Sequence, residues 1–302
     1  MAEKATMNNY YFYGLTVATP FPCPELVPSL HAPDVVVSFE NIDDPGVSWS
    51  GHGVCYNVSP GKYLLSVTGV ARYLLSYGMQ ISIEKNPDAD EDSLRLFFYN
   101  EVAAALLMQR GMLVLKASVV ARNGKASVLA GKASVGKSFT AAGLGGKGYA
   151  IVSDGVCAIS IHNGDIVVSA GFPSLMLWEK GLKAFDLSTE QYKPVRKGMN
   201  KFFFPVTEKF INETLPVAGI CLLSEHNRNE LSSSAIEGAN KLFALLNHQY
   251  HPGLAQPMGV LGKVNELAVL TAKQVKMRKI EFNMSASPFG DYIGILEKSQ
   301  ES

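Results

Sequence analysis

The stretch Gly131-Lys132-Ala133-Ser134-Val135-Gly136-Lys137-Ser138 fits the pattern G-x-x-x-x-G-K-S without a mismatch. An apolar run, ASVLA (126–130), precedes it, and the helix-forming KSFTAAGL (137–144) follows. Strand, glycine-rich loop and helix in this order point to an α/β fold with the loop at a sheet edge. Gly131 and Gly136 accept backbone conformations that turn successive N–H groups toward an anion. The helix amino terminus adds a favourable local potential for negative charge. Lys137 can then reach the β and γ phosphates of a nucleotide, and Ser138 offers a hydroxyl to Mg²⁺. Ser134, Val135 and Phe139 complete the expected nucleotide-binding set. Lys132 reads as a solvated loop side chain. These eight residues predict phosphate binding; they do not by themselves predict phosphoryl transfer.

A second feature lies close by. AIVSD (150–154) is an apolar strand that ends in Asp154, seventeen residues beyond Lys137. If the strand lies beside the loop's own strand, Asp154 emerges at the same sheet edge, near Mg²⁺ or the γ-phosphate. There it can hold a metal-bound water or accept a proton from an attacking hydroxyl. Gly155 follows it, as in a common Asp-Gly turn.

The rest of the 302-residue chain is that of an ordinary folded protein. The 27 basic and 27 acidic residues cancel, which gives no support for general nucleic-acid or membrane binding. Cys23, Cys55, Cys157 and Cys221 are scattered, without metal-ligand spacing or a disulfide framework, so reduced thiols in a cytoplasmic protein are expected. The opening MAEKATMNNYYFYG lacks an apolar signal-type run, and no stretch approaches a membrane span.

Residues 1–92 read as a β-rich portion of short strands such as VVVSFE, KYLLSV and MQISIEK, with VARYLLSYG (70–78) either strand or short helix. Residues 93–302 read as the α/β domain. It opens with a helix over 94–110, capped by Asp92 or Ser93 and ended by Gly111. Hairpins are predicted at Asn123-Gly124 and Asn163-Gly164. Gly145-Gly146 is expected to stop the helix after the phosphate loop. Residues 172–214 read as loop-rich, aromatic and basic, 215–224 as a core strand, 234–246 as a capped helix, 264–275 as a helix, 279–282 as a strand and 289–298 as a terminal helix.

Several of these stretches resemble one family. Leu115-Lys116-Ala117-Ser118, the loop around Lys137 and Ser138, and Gly148–Asp154 followed by Val156 resemble the catalytic core of HPr kinase/phosphorylase. The likeness is greater still to the HPr-kinase-related kinases that tailor lasso-peptide precursors. "SAGFPSLMLW" (169–178) and the approach helix "LFFYNEVAAALLMQRGMLVL" extend the resemblance over about residues 10 to 225, and it is specific over 112–178. It implies a P-loop core with a mixed sheet of the HPr kinase C-terminal domain type, preceded by a smaller β-rich portion. It also implies ATP and Mg²⁺ as cofactors and cytoplasmic phosphoryl transfer to a serine or threonine of a peptide or small protein. Neither nucleic acid nor membrane is an implied partner, and homo-oligomers occur in the family. Two positions depart from the pattern: Lys116 stands where the family has histidine, and Gly155 where it has a second aspartate. Lys116 can stabilise charge at the γ-phosphate but is a poor base while protonated. An inactive nucleotide-binding scaffold and a nucleotidyltransferase are therefore carried as alternatives.

The basic, aromatic segment 178–206 supplies two candidate clamps. Lys201 matches the family's basic segment near the phosphates, and the forked guanidinium of Arg196 suits a phosphate or carboxylate. His248 and His251 sit in no recognisable metal or nucleophile motif, and Trp178 reads as a loop anchor.

Overall fold

The computed structural model describes residues 7–43, 53–228, 230–283 and 294. It is a mixed α/β structure built on two large sheets. The first has eight strands, all from residues before 86, and is mixed: Leu15–Thr19 and Gln80–Lys85 flank Val35–Phe39 in parallel, while the other pairs are antiparallel. Ala71–Ser76 is one of these strands, which settles the strand-or-helix alternative at 70–78. The helix expected over 289–298 lies outside the described residues apart from residue 294.

The helical region that follows begins earlier than the sequence suggests. Asp90 rather than Asp92 or Ser93 is the cap, and its carboxylate accepts from the Ser93 amide at 2.7 Å. Asp92 is instead bonded to Arg95 and Lys193. The helix runs as Glu91–Phe97, a π-helical turn Phe98–Val102, and Ala103–Gln109. The π turn sets Tyr99, Asn100 and Glu101 out of the regular helical register, a device common at functional sites. Ala103 to Met108 are all buried, as a helix apolar on every side must be. They belong to one hydrophobic cluster that also contains Leu65, Tyr73 and Ile81 of the first sheet and Val114, Val128 and Ile159 of the second.

In the nine-stranded second sheet, Ala150–Ser153, Ala117–Arg122, Lys125–Gly131 and Thr214–Glu225 lie in that order. Side chains alternate between two cores. Val119, Val128 and Ile220 enter the large cluster, whereas Val120, Leu129 and Cys221 face a second one that also contains Leu144, Leu175 and Leu177. Helix Lys137–Gly146 thus covers the far face of the sheet. It continues through Gly145 and Gly146 instead of stopping there. Gly145 is buried, and a Cβ on it would stand 3.6 Å from the Ile151 side chain.

Two further departures come from pairing between distant segments. Residues 172–214 are not simply loop: Ser174–Trp178 and Lys201–Pro205 form an antiparallel pair. The single helix expected over 234–246 is a strand, Ser232–Ile236, followed by a helix, Ala239–Asn247. Cys23, Cys55 and Cys157 carry free thiols. Among the described residues no helix is long and apolar enough to cross a membrane.

Candidate functional site

Strand directions bring the predicted groups to one edge. Ala117–Arg122 is antiparallel to both Lys125–Gly131 and Ala150–Ser153, so the latter two run the same way. Gly131 and Asp154 therefore leave the sheet at the same edge, with the start of Ala117–Arg122 between them. Ligands of α/β sheets bind outside such strand ends. Lys116 and Ser118 consequently belong to this edge as well.

The loop itself departs from ordinary backbone at three positions. Gly131, Ser134 and Gly136 have φ of 154°, 62° and 90°. A Cβ at Gly131 would lie 2.6 Å from the Leu223 carbonyl oxygen, so only glycine fits. Val135 is buried and pins the loop to the second core. Phe139 packs its ring 4.8 Å from that of Phe185.

Lys137 folds back over the loop and donates from Nζ to the carbonyls of Gly131 (3.0 Å) and Lys132 (2.7 Å). Burial pushes its ammonium down to about 8; Asp154 opposes this, while Lys116 and Lys201 add to it. Burial likewise lowers Lys201, again with Asp154 opposing and Lys116 adding. Its Nζ stands 5.7 Å from the centre of the Trp178 ring, which is about half exposed rather than a buried anchor. Lys137 and Lys201 thus lie in the field of Asp154, and Lys116 in theirs.

Asp154 is almost fully buried, yet each oxygen is satisfied. Oδ1 accepts from Ser118 Oγ at 2.5 Å and from Ser138 Oγ at 2.8 Å, and Oδ2 accepts from the Met176 amide at 2.8 Å. Tyr13, reaching in from the first sheet's segment, is buried close enough for Asp154 to raise its phenol further above the ordinary range, after burial itself. Gly155 follows at φ 80°. A Cβ there would lie 2.9 Å from Asn100 Oδ1 and 3.1 Å from the Met176 methyl. The absent side chain has a physical cause: the chain turns left-handed, and the π-helical turn fills the space.

The donor set suits Mg²⁺ with a triphosphate. A hydroxyl and a carboxylate oxygen 2.8 Å apart are hard ligands, and Mg²⁺ is usually held by one or two carboxylates together with substrate phosphates. Among the described residues no cluster of three or more His, Cys, Asp or Glu forms an all-protein cage.

Arg196 is not drawn into this group; its guanidinium lies 6.0 Å from the Phe97 ring and in the field of Asp90. A neighbouring cluster was not anticipated. Residues 248–250 lie along 114–116, with the Lys116 amide donating to the His248 carbonyl and the Tyr250 amide to that of Val114. Lys116 Nζ stands 4.5 Å over the Tyr250 ring, the Tyr250 hydroxyl donates to Glu101 (3.2 Å), and His251 Nε2 bonds Glu101 Oε2 at 2.5 Å. His251 therefore does have an acidic partner, 150 residues away in sequence. No local spacing could have revealed it.

No protein-family model and no curated protein matches the chain. Among solved structures, the HPr(Ser) kinase/phosphatase from Coxiella burnetii is similar at a TM-score of 0.33 and 11% identity, over 63% of this chain and 99% of that one.

Proposed function

We propose that the chain is an ATP- and Mg²⁺-dependent phosphotransferase of the HPr-kinase-like type, acting on a serine or threonine hydroxyl of a peptide or small protein. The observation that carries this reading is the bond from Ser138 to Asp154, with the buried ammonium of Lys137 beside it at the edge where the phosphate loop leaves the sheet. Lys137 would leave its two loop carbonyls for the phosphates, exchanging neutral acceptors for charged ones. Ser138 and Asp154 would hold Mg²⁺, which when bound offsets phosphate charge and orients the transferring group. Lys116 and Lys201 add positive charge where negative charge spreads during transfer. Asp154 already accepts three hydrogen bonds, which favours its anchoring role over that of proton acceptor.

Gly155 keeps a second reading in view, a nucleotide-binding protein without turnover, because no carboxylate follows Asp154. Nucleotidyl transfer is a third. Incubation of the purified protein with Mg²⁺, γ-labelled ATP and candidate peptides separates them by product. ADP with a phosphorylated acceptor is the expected result. Pyrophosphate would replace kinase by nucleotidyl transfer, and intact ATP with every native acceptor would contradict an enzyme.

A further inference from the structure

Phosphoryl transfer to a hydroxyl needs somewhere for the hydroxyl proton to go, and the residues at the phosphate loop leave no obvious place. Asp154 is buried and saturated with donors. Lys116, as an ammonium, has protons to give and no lone pair. Two contacts nevertheless connect this edge to the cluster described above: Lys116, two residues from the Ser118 that bonds Asp154, sets its Nζ 4.5 Å over the Tyr250 ring, and Asn100, next to Glu101, closes on Gly155. We propose that His251, oriented by Glu101, is the proton acceptor for the hydroxyl that attacks the γ-phosphate. This inference rests on the phosphotransferase reading and deepens it.

The chemistry follows from the bond already in place. A carboxylate only accepts, so the hydrogen in the contact to Glu101 Oε2 belongs to His251 Nε2. Nδ1 of the neutral ring then carries the lone pair, the division of labour that a carboxylate imposes on a catalytic histidine. Burial pushes the Glu101 carboxyl up. The bond to His251, the charge of Lys116 and the Tyr250 hydroxyl together hold it below the ordinary carboxylate range. Glu101 is thus ionised and fixed at both oxygens, by Tyr250 and by His251.

The pair is also within reach of solvent. The side chains of His251 and Glu101 are 22% and 24% exposed, and the exposed Tyr56 ring lies 6.2 Å from that of His251. An acceptor can therefore approach from outside, past Tyr56, while the nucleotide occupies the loop. In the step itself the acceptor oxygen forms its bond to the γ-phosphorus as the bond from that phosphorus to the β,γ-bridging oxygen breaks. ADP leaves with the electron pair, and the acceptor proton passes to His251 Nδ1 and then to water. With water as acceptor the same step yields phosphate. His251 would be the catalytic residue and Glu101 a positioning residue.

The test uses the full chain, Mg·ATP and water as acceptor, with ADP release and Mg·ATP affinity both measured. His251→Ala is expected to bind Mg·ATP as the native protein does while its turnover falls about 100-fold or more. Added imidazole should restore part of the rate, and His251→Gln should behave as His251→Ala but without a larger cavity. Glu101→Gln should lower kcat about tenfold and leave KM for ATP unchanged, a split that a merely structural loss would not give. Turnover by His251→Ala within threefold of native, with binding intact, would overturn this inference and leave the phosphotransferase reading standing. Native protein that binds Mg·ATP without any turnover, or that fails to bind it, would overturn that reading and the inference with it.

Discussion

Raising the pH should discharge Lys137 well before an ordinary lysine, and nucleotide affinity should report it. Burial brings its ammonium from 10.5 to about 8, against the pull of Asp154 and with the help of Lys116 and Lys201. A triphosphate stabilises the charged form, so binding must supply a proton wherever the free protein has lost it. At about pH 9 only about one-tenth of the free protein carries the charge, and affinity should be about tenfold weaker than at pH 7, or about 1.4 kcal/mol. Phosphate groups lose their second proton near pH 6, so the nucleotide itself does not change over this window. Calorimetric titration with Mg·ATP in two buffers of different ionisation enthalpy gives both the affinity and the protons taken up. Near pH 9 nearly one proton should enter per nucleotide bound. Lys137→Met should lose most of the affinity and most of the proton uptake; what remains belongs to Lys201, shifted the same way by burial. Affinity constant within twofold from pH 7.5 to 9, with no proton taken up, would refute the assignment of Lys137 to the phosphates.

Three more outcomes follow from the same contacts. Without nucleotide the buried charge of Lys137 is a cost, present in full below about pH 8 and relieved as pH rises toward 10.5, where the unfolded chain still binds the proton. Denaturant unfolding should therefore show the native protein gaining up to about 3 kcal/mol over that range relative to Lys137→Met, and no relative gain would contradict the burial argument. Ser118→Ala removes a buried donor to Asp154 and should cost about 1.5–3 kcal/mol in urea unfolding; a cost near zero would mean the carboxylate does not depend on it. Gly155→Asp should destabilise by about 1–3 kcal/mol and fail to raise turnover, since φ is 80° and Asn100 Oδ1 would stand 2.9 Å from the new Cβ. A stable and more active Gly155→Asp would show that the turn accommodates a side chain, whereas Asn100→Ala should relieve part of the loss.

What could be read from the chain was local. The loop carries its spacing in eight consecutive residues, and Asn123-Gly124 and Asn163-Gly164 are turns whose chemistry needs no distant partner; both asparagines have positive φ. Asp154 rests on its strand lying beside the loop's own; Ala117–Arg122 lies between the two instead, but being antiparallel to both it still brings Asp154 to the loop's edge. Where partners decide, the sequence was silent or misleading. SSSAI is poor strand material and reads as a cap, but it pairs with Lys276–Phe282 as a strand. SLMLW and KFFFP pair across more than twenty intervening residues of basic connector. Gly145 stays helical where the Ile151 side chain packs close, overriding intrinsic propensity. Glu101 and His251 meet only because a π-helical turn and the segment after Asn247 converge on Lys116.

A crystal structure of the protein with Mg²⁺ and a non-hydrolysable ATP analogue tests the central claim most directly. The account predicts the triphosphate lying along residues 131–138, Lys137 Nζ moved from its loop carbonyls onto phosphate oxygens, and the metal against Ser138 and Asp154. A nucleotide seated elsewhere, with Lys137 still bonded to the carbonyls of Gly131 and Lys132, would contradict it.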